Sequence, residues 1–182
     1  MQEQRVDLVA EGLDCAIRVG PVHEPNVVAL HLADVQRFVV AAPSLLQGAP
    51  PPTEIEALHA LPWISLNQYY RNEVCLSHTQ DGRTHRFSIH PRIGTDNLYA
   101  LRNAMLAGMG VGIASAWIVA DDLREGRLIK LTPQWQASPL PVHLLYPYAR
   151  YYPARLRAFI EIIRAAMPGM EGMTAKTGSP LP

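Results

Sequence analysis

Arg37-Phe38-Val39-Val40-Ala41-Ala42 is a near-continuous apolar run, and Pro43 stops it. A strand that is apolar at nearly every position, not at alternate ones, has both faces covered, as in sheets packed by helices. A second strand, over residues 142–146, follows only after a long passage with an α/β pattern of its own. Strands alternating with helices predict an α/β fold with largely parallel pairing. Two crossover strands between two lobes describe a hinge, and a cleft between lobes is a common place for a ligand.

The remaining elements follow from periodicity and punctuation. Leu13, Cys15, Ile17 and Val19 alternate with Asp14, Ala16 and Arg18, a strand pattern ended by Gly20-Pro21. Residues 27–32 read as extended, and Pro43 opens a short helix through Leu46. After the Pro-rich link at 48–52, Thr53 with Glu56 has capping-box spacing and predicts a helix. Trp63-Ile64-Ser65-Leu66 reads as a strand, and residues 74–79 and 84–90 as a hairpin turned by Asp81-Gly82. Thr95 or Asp96 is placed to cap a helix carrying Leu98, Leu101 and Met105, closed by Gly108. Val111-Gly112-Ile113-Ala114 is a short buried strand, residues 117–123 a helix, and Leu128-Ile129-Lys130-Leu131 a strand. Pro139-Leu140-Pro141 is expected to break the chain before residues 142–146. The last helix starts at Pro153, carries Leu156, Phe159, Ile160, Ile163 and Met167 on one stripe, and stops at Pro168-Gly169. Residues 169–182 are small, polar and Pro/Gly-rich, which predicts a disordered tail.

The 182 residues suit one domain or two small lobes, and the 48% hydrophobic content suffices for a core. Lys plus Arg and Asp plus Glu both count 16, a formal net charge of zero. A chain that grips DNA by itself carries a basic excess, so any DNA contact is expected from elsewhere. Cys15 and Cys75 are too few for a disulfide framework and read as reduced structural thiols. The polar first residues offer no secretory signal, and no apolar run reaches membrane-spanning length. A cytoplasmic protein without membrane contact is expected.

Catalytic constellations are missing from the sequence. It has no G-x-S-x-G, H-E-x-x-H, Walker loop or C-x-x-C. Gly108-Met109-Gly110-Val111-Gly112 follows a helix and precedes a strand, the reverse of a dinucleotide-binding loop, and reads as a helix C-cap with tight packing. His78, His85 and His90 match no ordinary zinc spacing and read as surface histidines. Asp121-Asp122 reads as first-turn helix charge. Tyr146, Tyr148, Tyr151 and Tyr152 read as an aromatic packing cluster. No catalytic residue, metal or cofactor is expected. Thr95, Asp96 and Asn97 open a helix whose free amides suit an anion, though plain capping without a ligand is the default reading of such a triplet. Arg18 is either an exposed structural arginine or a two-pronged carboxylate ligand.

Two blocks then suggest a family. Residues 6–20, VDLVAEGLDCAIRVG, and 95–117, TDNLYALRNAMLAGMGVGIASAW, resemble the effector-binding domain of LysR-type transcriptional regulators. RFVVAAPSLL at 37–46, ADDLREGRLIKL at 120–131 and PARLRAFIEIIR at 153–164 resemble it in the same order. The resemblance implies an α/β, two-lobed, periplasmic-binding-protein-like (type 2) effector domain. Its first lobe, residues 1–42 and 143–168, is expected to be incomplete, and residues 43–142 form the second. A small effector, often a carboxylate, is implied between the lobes, with Arg18 and Gly20 at the edge of the first and Ser65, Thr95, Asp96 and Asn97 lining the second. Ala42, Pro43, Leu145 and Tyr146 are implied as the hinge. The family's N-terminal helix-turn-helix, linker helix and first strand and helix of lobe one are absent from the sequence. This suggests a fragment or a miscalled start, a weak first lobe and no DNA contact of its own. The resemblance also implies a homo-oligomer formed through the effector domain. A solute-binding protein of similar fold is the alternative.

Overall fold

The apolar run that opened the sequence is part of a much longer strand. In the computed structural model, which describes Leu8 and residues 10–175, strand β2 covers Val27–Ala41 without interruption. Two separate extended pieces were expected. No glycine or proline lies between them, and Ala33 and Val35 are fully buried, so nothing releases the backbone from the ladder.

The other elements are, in order, β1 (Ala16–Val19), β3 (Ile64–Leu66), β4 (Glu73–His78), β5 (Thr84–Ser88), β6 (Ile93–Thr95) and α1 (Leu98–Leu106). There follow β7 (Gly112–Ser115), α2 (Ala116–Arg124), β8 (Ile129–Lys130), β9 (Trp135–Pro147), α3 (Ala154–Ala166) and β10 (Met173–Thr174). The large sheet runs β10-β2-β9-β4-β5, with β1 on β9 and both β7 and β8 on β2. Val39 lies opposite Ile113, Ile17 opposite Leu144 and Leu76 opposite Ala137, each in an antiparallel pair. Among the described residues, the expected parallel pairing is found between β3 and β6 and at a bridge from Trp63 to Val111. Parallel neighbours need a crossover: the passage with the β4–β5 hairpin lies between β3 and β6, and α1 follows β6 before the chain returns at Val111. Elsewhere, hairpin turns and the two long strands bring neighbours back in the opposite direction.

The described residues up to Val35, together with those from Leu140 onward, form one compact unit; Gln36–Pro139 forms the other. The first has one core, built on Leu32, Ala33, Val35, Val142, Leu144 and Met167. The second has two. Val39, Leu58, Trp63, Val74, Leu76 and Leu131 help build one, and Val40, Ile64, Leu101, Met105, Val119 and Leu128 the other.

Several local expectations are corrected. Thr53 does not cap a helix: Glu54 precedes a 3-10 segment, Ile55–Ala60, without a side-chain cap. The buried pair Ile55 and Leu58 lies three residues apart, matching the three-residue turn of that helix. The cap of α1 is Asn97, not Thr95 or Asp96, because Thr95 is still paired with Leu66 in the ladder. Strand β9 runs straight through Pro139 and Pro141. Proline lacks a donor but keeps its acceptor, and the Pro141 carbonyl takes the Gly20 amide at 2.8 Å. Residues 169–182, expected to be disordered, include an ordered part. A 3-10 turn at Met167–Gly169 leads to β10, whose Met173 and Thr174 pair with Val35 and Asp34. Residues 176–182 lie outside the described residues. On α3, Leu156 is buried while Phe159 is 39% exposed, and the buried Met167 of the expected stripe falls in the 3-10 turn that follows, so only part of that stripe reaches a core.

Candidate functional site

Ligands of sheets with parallel strands gather where the strands' carboxyl ends open. Here β3 and β6 end side by side, with Ser65 opposite Gly94 and Leu66 opposite Thr95. Beyond them the chain turns at Asn67 and at Asp96-Asn97. Ser65 is buried, and its hydroxyl donates to Asn67 Oδ1 at 3.1 Å. The Asn67 amide donates to the Thr95 carbonyl at 2.9 Å. Thr95 Oγ1 accepts the Asn97 amide at 3.1 Å. Asn97 Oδ1 in turn accepts the amides of Tyr99 and Ala100 at 2.9 and 3.0 Å. Ser65, Thr95 and Asn97 thus form one hydrogen-bonded group at the N-terminus of α1, with Asp96 exposed at the same turn.

Asn67 joins this group and was not foreseen from sequence. Its signal was its place, the first polar residue after the apolar strand β3. Gly94 belongs to the same design, since a Cβ there would overlap the Asn67 side-chain amide. Tyr99, 61% exposed in the first turn of α1, adds an aromatic ring beside it.

Arg18 and Gly20 belong to the other unit. Arg18 lies on β1 opposite His143, and its guanidinium is ion-paired with Glu24. Gly20 has a φ of 107°, open to glycine, and its amide is already bonded to Pro141. The chain passes between units at Val35–Gln36 and Pro139–Leu140. Ala42 and Pro43 therefore fall inside the second unit, and Leu145 and Tyr146 inside the first. Ala42 is extended ahead of the 3-10 turn at Pro43, and Leu145 sits opposite Ala16 in a β ladder.

Other sequence candidates are accounted for structurally. Gly108 has a φ of 71° at the end of α1, and a Cβ on Gly110 would lie 2.6 Å from the Pro62 carbonyl oxygen. The glycine-rich stretch is thus a C-cap and a close backbone contact. Tyr146 and Tyr152 meet edge to face at 5.3 Å, while Tyr148 and Tyr151 are exposed. His78 bonds Asp81 at 3.0 Å.

Asp122 was misplaced. Helix α2 begins at Ala116, so Asp122 lies beyond its first turn and is fully buried. Arg102 donates to its two oxygens at 2.5 and 2.8 Å, and Arg127 Nε adds a bond of 2.8 Å. Burial alone would raise the Asp122 pKa, but the bonds and charges of Arg102 and Arg127 outweigh it and hold the carboxyl below its ordinary value. This ion cluster ties α1, which carries the candidate site, to α2. A second buried charge, Arg37, donates Nε to the Ser138 carbonyl at 2.8 Å and sits 5.2 Å from the Tyr70 ring centre. Burial pushes the Tyr70 hydroxyl up to about 12.

Two α/β units threaded by two long strands, with polar groups gathered at the ends of a parallel pair, define a ligand-binding domain of the periplasmic-binding-protein type. Residues 1–168 match the LysR substrate binding domain, and the chain belongs to that family. It is 33% identical over 164 residues to the HTH-type transcriptional regulator PtxR of Pseudomonas aeruginosa, covering 89% of this chain and 52% of PtxR. It is 32% identical over 130 residues to the iron-regulated virulence regulatory protein IrgB of Vibrio cholerae, covering 70% and 43%. The full-length Vibrio cholerae virulence activator AphB superimposes with a TM-score of 0.72 at 26% identity, covering 91% of this chain and 56% of AphB. The regulatory domain of Neisseria meningitidis CrgA shares the fold with a TM-score of 0.72 at 24% identity, covering 90% and 80%. The chain spans about half the length of the curated relatives it matches. It is a LysR-type effector-binding domain, and no helix among its described residues is long and apolar enough to cross a membrane.

Proposed function

We propose that this domain senses a small carboxylate-bearing effector at the carboxyl ends of β3 and β6. The observation that carries the reading is the convergence of Ser65, Asn67, Thr95 and Asn97 on the N-terminus of α1. The amide ends of a helix favour negative charge, and hydroxyl and amide side chains beside them orient a carboxylate. Asp96 opposes an anion at that turn, so it selects for effectors whose acid group stays clear of it. Arg18 and Gly20 belong to the other unit, where they are engaged with Glu24 and Pro141. Ligand shifts the domain toward the arrangement that binds it better, and a homo-oligomer transmits the shift. DNA is read by a helix-turn-helix outside these residues, consistent with their zero net charge and with relatives named as HTH-type regulators.

The test is calorimetry of the domain, extended to the length of its relatives, against a panel of small carboxylic acids and their amides. The expected result is saturable binding of an acid, absent with its amide. Ser65→Ala and Thr95→Val should each weaken it about tenfold, the size of one lost charge-assisted hydrogen bond. Binding of none of the acids, or binding indifferent to both substitutions, overturns the assignment.

A further inference from the structure

The geometry points to a two-histidine site for a divalent late transition ion, with zinc as its representative, on the hairpin face of the second unit. His59 lies in the last turn of the 3-10 segment, and His85 lies on β5 opposite Leu76. Their Nε2 atoms are 3.0 Å apart, with ring centroids at 5.2 Å and the planes 31° from each other. His59 stacks on Phe87 at 4.4 Å, and His85 sits edge-on to Trp135 at 6.1 Å. Phe87 is itself buried, so both imidazoles rest on a fixed aromatic bed.

Two neutral imidazoles in this contact share one Nε2 proton. The donor ring can move that proton to its Nδ1, which leaves two Nε2 lone pairs for one ion. Zinc–nitrogen bonds of about 2.0–2.1 Å at a tetrahedral angle set the nitrogens roughly 3.3–3.4 Å apart. The rings therefore need to open by only about 0.3–0.4 Å, and His59 is exposed on a short turn with room to tilt. Imidazole nitrogen selects zinc, nickel or copper over calcium and magnesium, which take oxygen ligands. No group of three or more His, Cys, Asp or Glu side chains among the described residues converges on an ion. Water then fills the remaining positions, which makes this an open, exchangeable site. Such an ion clamps the turn at 55–60 onto the hairpin. The sequence hid the pair because His59 lies far from the histidines grouped in the hairpin. This inference is independent of the effector reading.

Calorimetry of the tag-free chain with zinc chloride tests it. One ion should bind per chain, while calcium and magnesium give no heat. His59→Gln and His85→Gln should each weaken binding by about tenfold or more, since each removes half the protein ligands, and His90→Gln should leave it unchanged. Copper should quench tryptophan fluorescence in the native chain and lose that effect in both site variants, with far-ultraviolet dichroism confirming that all variants are folded. No saturable heat, or zinc binding that survives both site substitutions, overturns the proposal.

Discussion

Asp122 shows most clearly how one residue changes meaning between sequence and structure. As a letter in Asp121-Asp122 it reads as surface charge; in the fold it is a buried carboxylate held by Arg102 and Arg127. Because its folded pKa is depressed, its contribution to stability is complete above the unfolded-state value of about 3.9 and is lost as pH falls through the folded value. Urea unfolding of the native chain should therefore weaken steeply below about pH 4, and Asp122→Asn should flatten that dependence. At neutral pH the substitution should cost about 2 kcal/mol. That is less than a sealed ion pair would cost, because both arginines reach solvent. Gly110 is the second residue whose role is purely spatial. Gly110→Ala sets a methyl against the Pro62 carbonyl, and a loss of about 1–3 kcal/mol in the same experiment is expected.

At the scale of elements, α1 joins site and core. Leu101 and Met105 bury one face against Ile64 and Val40, while Asn97 closes the opposite requirement at its first amides. Asn97→Ala should cost about 1 kcal/mol by thermal or urea unfolding, because the amides of Tyr99 and Ala100 lose their acceptor. A variant with unchanged stability would show that the cap bonds are not what orders the turn. Periodicity made α1, α2, α3, β7 and the β4–β5 hairpin legible, because each repeats apolar residues at its own period or ends at a recognisable turn. The same reasoning split β2 in two and broke β9 at its prolines. Strand continuity depends on neighbouring chains offering partners, and no local residue reports that.

For the whole molecule, the cores are unequal. The unit of Gln36–Pro139 holds two buried clusters, and the other unit one small cluster with an α3 that leaves Phe159 and Ile162 exposed. Native-state hydrogen exchange should then protect amides of β7 and α1 by more than those of α3. Equal protection would mean that the chain opens as a single cooperative body. Ser65, Asn67, Thr95 and Asn97 all lie in the better-packed unit.

Family and α/β class were readable from the chain alone, because motif order and apolar period are local. Tertiary structure alone decided that Asn97 and not Thr95 caps α1, that Asn67 completes the group, that pairing is mostly antiparallel, and that His59 meets His85. Each of these depends on which distant segments become neighbours. Hydrogen-bond partners, buried charges and ligand pairs are properties of distance in space, and hydrophobic periodicity records only which face of an element turns inward.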